Sequence, residues 1–511
     1  MDGFFDKYGR MIIIAVAVCF VLLLFTPMKR TIGNNINGFV DGFANKVGDG
    51  LGTVRMPDGS DVKEHSSKMI TGIEFNNKIP SEATTVVFTN EKAPEGTSII
   101  DLTVTKDGDV VGWLDGTTWK VSTQDTKKEI LFNADSNRMF AEKNNLQEIH
   151  FDNINTTEVT NMSYMFYDCK GLKALNFNQF NTSKVINMSM MFYNCSSLQS
   201  LDLNTFNTAN VTDMSNMFNS CFNLTSLNIS SFNTSKVTNM SSMFYGIKVD
   251  SLDLKHFNTS NVTAMGGMFN SCSSLTSLNI SSFNTSKVTN MGAMFYGIKL
   301  NSLDLNNFNT SKVTDMRHMF YGTKIKNLDL GNFDTSNVTD MTGMFAGNST
   351  LTNLNINSFQ TSKVTTMSSM FFGCSNLVSL NINNFDTLNV RDMSSMFNGC
   401  SKLKSLNLNN FNTSNVTNMS YMFTYCGNLT DVNLSSFDTN EVKSMNSMFS
   451  ECKQLTQLDL SSFNTSNVEN MVDFVWNANN LKIIKVRSQS DIDNIKTKGT
   501  GVNSTIKFEI A

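Results

Sequence analysis

One sentence of amino acids recurs along most of this chain, and it constrains the fold more than any other feature. Aligning on the Val that precedes "TxM" gives Val159, Val185, Val211, Val237, Val262, Val288, Val313, Val338, Val364, Val390, Val416, Val442 and Val468. Every gap is 26 or 25 residues. The gaps of 25 follow Val237, Val288 and Val313, where "MFYNCSSL" shortens to "MFYGIKV", "MFYGIKL" or "MFYGTKI". Faded copies stand before the first Val ("SNRMFAEKNNLQEIHF") and after the last ("ENMVDFVWNANNLKIIKV"). A repeat of this length signals a solenoid: each unit is too small to bury its own apolar face, so units stack and bury one another's.

Within a unit, with Val as position zero, Met at 3, Phe at 7 and Cys at 10 follow helical spacing. Leu at 13, Leu at 16 and Leu or Ile at 18 end in a period of two, a strand signature. Phe at 21 and Thr at 23 close the unit. The Phe column is complete: Phe180, Phe206, Phe232, Phe257, Phe283, Phe308, Phe333, Phe359, Phe385, Phe411, Phe437 and Phe463. The pattern predicts about 14 coils of 25–26 residues over 133–486, each one strand plus one short helical turn, with a parallel sheet on one face: an α/β, leucine-rich-repeat-like solenoid. The Thr hydroxyl is expected to accept a backbone N–H at the start of the helical turn. Many "NTS" junctions also match a glycosylation acceptor, but turn and cap chemistry explains the "DTS", "QTS" and "NTA" variants as well.

Eight of the nine cysteines occupy position 10: Cys169, Cys195, Cys221, Cys272, Cys374, Cys400, Cys426 and Cys452. Ile247, Ile298, Thr323 and Asn348 stand in their place elsewhere; replacement by Ile says the site wants a modest buried group, and free core thiols are expected rather than disulfides. No CxxC occurs, so zinc is unsupported. A calcium ladder would need more convergent carboxylates. No cofactor is expected.

Upstream, 11–28 ("MIIIAVAVCFVLLLFTPM") is an uncharged run long enough to span a bilayer. No Ala-x-Ala-like cleavage site follows it, so residues 1–30 read as an uncleaved membrane anchor. Lys7 and Arg10 before it balance Lys29 and Arg30 after it, and charge sets no orientation. Residues 31–65 read as a juxtamembrane segment, with Ile36, Phe39, Val40, Phe43 and Val47 forming an amphipathic stripe before a Gly- and Asp-rich linker. Residues 66–132 carry short β-branched and aromatic runs, with a type I′ hairpin expected at Asp115-Gly116. This β-rich module and residues 487–511 are expected to cap the two ends of the solenoid.

The motif "MxxMFxxCxxLxxLxLxxFxTSxVTxM", preceded by "VVGWLDGTTWKV", closely resembles the BspA-like leucine-rich-repeat surface proteins of bacteria. Phe stands here where the generic leucine-rich pattern has Asn or Cys. The resemblance implies a cell-surface protein, in several relatives linked to adhesion to host matrix proteins or to other cells. It also implies a single-pass cell-membrane protein, N-terminus inside and repeats outside. No "LPxTG" or lipid-attachment motif occurs, so membrane attachment would rest on 11–28.

Net charge is −4 with no basic run, which removes the electrostatic footprint of a nucleic-acid binder. No GxSxG, HExxH or phosphate loop occurs and the four His are scattered, so an enzyme is not expected. The candidate partner-binding residues are outward strand positions on the concave face: Asp202, Asp253, Asn279, Asp304, Asp329, Asn355 and Asn381. Two readings stand: adhesion or protein/glycan binding through this face or the variable loop after "MF", and a structural spacer or surface-layer scaffold with no specific ligand.

Overall fold

Coil stacking begins at a column of single parallel bridges that runs unbroken along the chain. Its rungs are Asp135, Asn161, Asn187, Asp213, Asn239, Ala264, Asn290, Asp315, Asp340, Thr366, Asp392, Asn418, Ser444 and Asn470, one per coil at position 2. The structure is a computed structural model that describes residues 67–511, and the expected anchor and juxtamembrane segment lie outside the described residues. Among the described residues no helix is long and apolar enough to cross a membrane.

The expected helical turn in each coil is not there. Positions 3 to 10 instead form a ladder of turns. In the coil that starts at Val159 the N–H groups of Met162, Tyr164, Phe166 and Asp168 donate to the next coil's carbonyls at Asn187, Ser189, Met191 and Tyr193, at 2.7–3.0 Å. The intervening N–H groups of Met165, Tyr167 and Cys169 donate three residues back, to Met162, Tyr164 and Phe166. Positions 5 and 9 are left-handed in each of the fourteen coils, from Arg138 (φ 57) and Glu142 (φ 65) to Asp473 (φ 56) and Asn477 (φ 54). A left-handed residue ends a right-handed helix, at roughly 1–2 kcal/mol for a non-Gly residue. Here that cost is offset because it turns every second peptide toward the adjacent coil. The helical spacing of apolar residues is therefore real, but this ladder satisfies the same spacing.

Buried ladders run along the same axis. The Phe180–Phe463 column is buried, no member more than 5% exposed. The Phe at position 7 stacks more regularly: Phe140, Phe166, Phe192, Phe218, Phe244, Phe269, Phe295, Phe320, Phe345, Phe371, Phe397, Phe423 and Phe449 lie 5.3–5.9 Å apart with planes within 14°. Such stacking adds to the area buried. The eight described cysteines are buried and free, and each thiol donates to a Phe carbonyl of the preceding coil, as Cys195 Sγ does to Phe166 O (3.1 Å). Burial pushes the thiols of Cys169, Cys221, Cys272, Cys400 and Cys452 up to about 12.

The Thr column works differently from the expected cap. Thr182 Oγ1 donates to Asn207 O of the next coil (3.0 Å) and accepts the Asn207 N–H (2.8 Å). Thr285 does the same with Asn309, and Thr387 with Asn412. The neighbouring Asn turns inward on itself: Asn181 Oδ1 accepts the Ser183 N–H at 3.0 Å. Each Thr thus replaces a backbone rung at a corner where the main chain cannot reach its neighbour.

The strand side is interrupted. β8 (Ser200–Asp202) pairs with β9 (Ser226–Asn228), β10 (Ser251–Asp253) with β11 (Ser277–Asn279), β12 (Asn327–Asp329) with β13 (Asn353–Asn355), and β14 (Ser405–Leu406) with β15 (Asp431–Val432), all parallel. No strand joins these pairs, so the expected single sheet is a row of two-stranded pieces. In the first three pairs an Asp strand faces an Asn strand. Asp304 follows an Asn already engaged and faces Asp329 ahead, and its coil forms no strand. Like charges directly opposite disfavour pairing.

At the start, α1 (Gly72–Asn76) packs with a five-stranded sheet ordered β2 (Ile100–Asp101), β3 (Val111–Asp115), β4 (Thr118–Ser122), β1 (Thr85–Thr89) and β6 (Glu148–Phe151). β1 runs parallel to both β4 and β6, so this sheet continues into the first coil, and β5 (Ile130–Leu131) pairs with β7 (Ile154–Asn155) beside it. The β3–β4 hairpin turns at Gly116-Thr117, of which only Gly116 has positive φ (+62), as a type II′ turn requires rather than type I′. Trp119 is fully buried and stacks on Phe75 at 5.1 Å. At the far end β16 (Gln457–Leu460), β17 (Ile483–Val486) and β18 (Lys507–Ile510) form a parallel sheet, with α2 (Gln489–Lys498) between the last two strands in sequence.

Candidate partner-binding surface

The strand-face residues singled out from the sequence lie in one row, each closing an Asx turn. Asp202 Oδ1 accepts the Asn204 N–H (3.0 Å), Asp253 that of Lys255 (3.3 Å), Asn279 that of Ser281 (3.2 Å) and Asp304 that of Asn306 (3.1 Å). Asp329, Asn355 and Asn381 accept from Gly331, Asn357 and Asn383 at 3.0–3.3 Å. Neighbours also bond to one another: Asn279 Nδ2 donates to Asp253 (2.9 Å) and Asn355 Nδ2 to Asp329 (2.7 Å). Asn381 Nδ2 donates to Asn357 Oδ1 (2.8 Å). Much of the row's hydrogen-bonding capacity is spent ending strands and joining coils. Among the described residues no group of three or more His, Cys, Asp or Glu converges as a metal site.

The turn ladder presents a different surface. All eight described tyrosines sit on it, at positions 5, 8 or 9: Tyr164, Tyr167, Tyr193, Tyr245, Tyr296, Tyr321, Tyr421 and Tyr425. Phe372 and Trp476 share position 8. Tyr425 is 56% exposed, Trp476 47%, Tyr421 42% and Phe372 39%. Between them stand Ser, Asn and Gly, residues the left-handed positions favour. Adjacent rings stack: Tyr167 and Tyr193 have centroids 5.0 Å apart, and Tyr296 and Tyr321 4.5 Å at 4°. Burial, then the neighbouring ring, holds the Tyr167 and Tyr296 phenols above their ordinary value.

At the N-terminal end of this strip the Arg138 guanidinium lies 4.8 Å from the Tyr164 ring centroid and 5.7 Å from that of Tyr167, and pairs with Glu142 at 3.4 Å. A hollow of about 210 Å³, lined by Ile73, Asn76, Asn77, Arg138, Ala141 and Glu142, opens beside it. Asn76 Nδ2 donates to the carbonyls of Arg138 (3.0 Å) and Ala141 (2.9 Å), so α1 closes the acceptor end of the turn ladder. The sequence signal for this surface was the restriction of Tyr within the repeats to one short window around "MF", easily missed beside the louder Leu and Phe columns.

A family model described as "Mycoplasma protein of unknown function, DUF285" matches residues 134–248, 220–324, 298–406 and 397–505. The chain belongs to this family. The DUF285 matches overlap and together take in the coils and the start of the C-terminal cap. A search of curated proteins finds no match. Among solved structures, the pneumococcal vaccine antigen PcpA is similar at 12% identity, with 84% of this chain and 90% of that one covered and a TM-score of 0.36. A leucine-rich repeat protein from Eubacterium ventriosum ATCC 27560 shares 14% identity over 71% and 90%, with a TM-score of 0.30. TLR13, from its complex with ssRNA13, shares 15% identity over 74% and 50%, with a TM-score of 0.20. Scores this low carry no functional inference.

Proposed function

We propose that this DUF285 chain is a membrane-anchored bacterial cell-surface protein that binds a partner through the outward face of its turn ladder. The single observation that carries the reading is the confinement of every described tyrosine to that face. A strip of Tyr, Ser, Asn and Gly with few charges has the composition of adaptable protein-binding surfaces, in which Tyr supplies contact area at low entropic cost. Arg and Tyr beside a hollow, as at Arg138 and Tyr164, are the residue types in which binding energy concentrates. Stacked rings expose edges and hydroxyls more than faces, which favours a protein partner over a glycan.

The finer reading is a BspA-like adhesin attached through 11–28, with repeats outside and a host matrix or cell-surface protein as partner. The membrane-compatible apolar run and the repeat motif support it. The interrupted, self-bonded strand row supports assigning that face a scaffolding role within the same molecule. Binding of the intact chain to panels of matrix proteins and glycans tests the proposal. Tyr296→Ser/Tyr321→Ser should abolish any capture seen, whereas Asp304→Ala/Asp329→Ala should preserve it. The reverse pattern moves the site to the strand row, and no capture by either panel favours a spacer. Protease shaving of intact cells should remove the repeats if they lie outside.

A further inference from the structure

Among the described residues, β18 has one edge without a strand partner. In the sheet β16–β17–β18 one side of β18 pairs with β17 and no strand adjoins the other among the described residues. The Lys507 N–H donates to Lys482 O (2.8 Å) and the Ala511 N–H to Val486 O (3.0 Å). Because N–H and C=O alternate sides along a strand, Phe508 and Ile510 turn theirs to the open edge. Ile510 is 56% exposed and Phe508 half-buried. Such an edge is a template for another strand, and natural proteins usually blunt it with charge.

The charges here do something more specific. Ile506 to Ile510 reads Ile-Lys-Phe-Glu-Ile, which on reversal keeps its apolar positions and exchanges its charges. We infer that β18 pairs antiparallel with β18 of a second copy of this chain, about a two-fold axis at Phe508. That register places Phe508 opposite Phe508, Lys507 opposite Glu509, and Ile506 opposite Ile510. Phe508 exchanges both backbone hydrogen bonds with its counterpart, since its N–H and C=O both face outward. The Ile510 N–H meets the carbonyl of the other copy's Ile506, whose own N–H is already donated to Asn503 O (3.1 Å). The ion pair that Lys507 and Glu509 form within the strand (2.9 Å) is on the face opposite Phe508 and re-forms across the axis. Lys496 Nζ, 5.2 Å from the Phe508 ring centroid, covers the other face. A shift of the axis by one residue would set Lys507 against Lys507 or Glu509 against Glu509, and like charges directly opposite are destabilising. The complementarity therefore selects one register and one partner, giving the self-matching interface that a two-fold dimer requires.

Sedimentation of the full chain in detergent across a wide concentration range tests this. The unaltered protein should form a concentration-dependent dimer. Lys507→Glu alone and Glu509→Lys alone should each weaken it about tenfold or more, because each sets like charges opposite. Mixing the two single variants should restore a mixed dimer, and so should the double exchange Lys507→Glu/Glu509→Lys. These side chains are at the surface, so circular dichroism should be unchanged in all variants. A chain that stays monomeric at every concentration, or single variants that dimerise as well as the parent, would overturn the inference.

Discussion

Thr465 Oγ1 donates to Oδ1 of Asp491 at 2.8 Å, and the Thr465 N–H donates to the same oxygen at 3.0 Å. In every earlier coil the corresponding Thr hydroxyl finds a backbone carbonyl of the next coil. After the last coil there is none, and a carboxylate from α2 takes that place. Asn494 Nδ2 supplies a donor to Thr465 Oγ1 at 3.1 Å. The cap thus imitates the hydrogen bonds of a missing repeat.

Removing that carboxylate should loosen the end of the stack. Asp491→Ala leaves buried donors without an acceptor, at roughly 1–3 kcal/mol, while Asp491→Asn keeps one acceptor oxygen and should cost less. Hydrogen exchange over 442–486 should rise in Asp491→Ala and stay unchanged near Val211.

The same group sets an acid limit. Burial pushes Asp491 up, but hydrogen bonds from Ser488, Thr465 and Arg487 outweigh it and hold its carboxyl below the ordinary value of 3.8. A depressed folded-state pKa contributes stability that is complete above the unfolded pKa and is lost as pH falls through the folded one. Protection factors at the C-terminal coils, taken relative to the intrinsic exchange rate at each pH, should therefore stay flat from neutral pH to about pH 4 and fall below it.

The cysteine column predicts the opposite limit. Thiols raised to about 12 by burial contribute stability that is complete below their unfolded value near 9 and is lost as pH rises toward 12. Thermal melts should fall between pH 9 and 12, less steeply in Cys272→Ile, which imitates the Ile already present at 247 and 298. A thiol reagent should leave the eight core cysteines unmodified in the native state and reach all of them after denaturation.

At two adjacent breaks in the cysteine column a polar pair, Thr323 and Asn348, takes the place of the thiols. The Thr323 N–H and hydroxyl donate to Asn348 Oδ1 (2.7 and 2.8 Å), and Asn348 Nδ2 donates to the carbonyls of Phe320 (2.8 Å) and Phe345 (2.9 Å). Fully satisfied, the pair is tolerated, but half of it is not. Asn348→Ala should destabilise by about 1–3 kcal/mol, and Thr323→Ile/Asn348→Cys should recover most of that loss. A double-mutant cycle by denaturant unfolding measures the coupling.

What the sequence disclosed divides along a physical line. Burial was legible: the Val, Met, Phe and Cys columns are core, because a repeated apolar letter in a stack can face only its own copies, although in the strand Leu175, Leu227, Leu278, Leu303, Leu354 and Leu380 are only partly buried. Backbone hydrogen bonding was not. The spacing of Val159, Met162, Phe166 and Cys169 fits a helix as well as a turn ladder, and only the left-handed residues at positions 5 and 9 separate them. Their Ser, Asn and Gly content hinted at it, but Tyr164, Met190 and His318 hid the signal. The task of Thr182 was misassigned for the same reason, since its partner lies in the next coil and not in its own turn. One break in the sheet, at the coil of Asp304, coincides with the Asp304–Asp329 adjacency, visible in the sequence as neighbouring acids; the breaks beside Asn228 and Asn381 have no such signal.

Whole-coil and half-coil deletions test the central claim, that each turn is stable only through its neighbours. Deleting 364–389, one complete coil, rejoins matching surfaces and should leave a single cooperative melt within a few degrees of the parent. Deleting 364–376 sets turn against strand and should abolish cooperative folding of the C-terminal coils. If both deletions were tolerated equally, or if the half-coil deletion left the remaining coils protected from exchange, stacking in register would not be what holds this protein together.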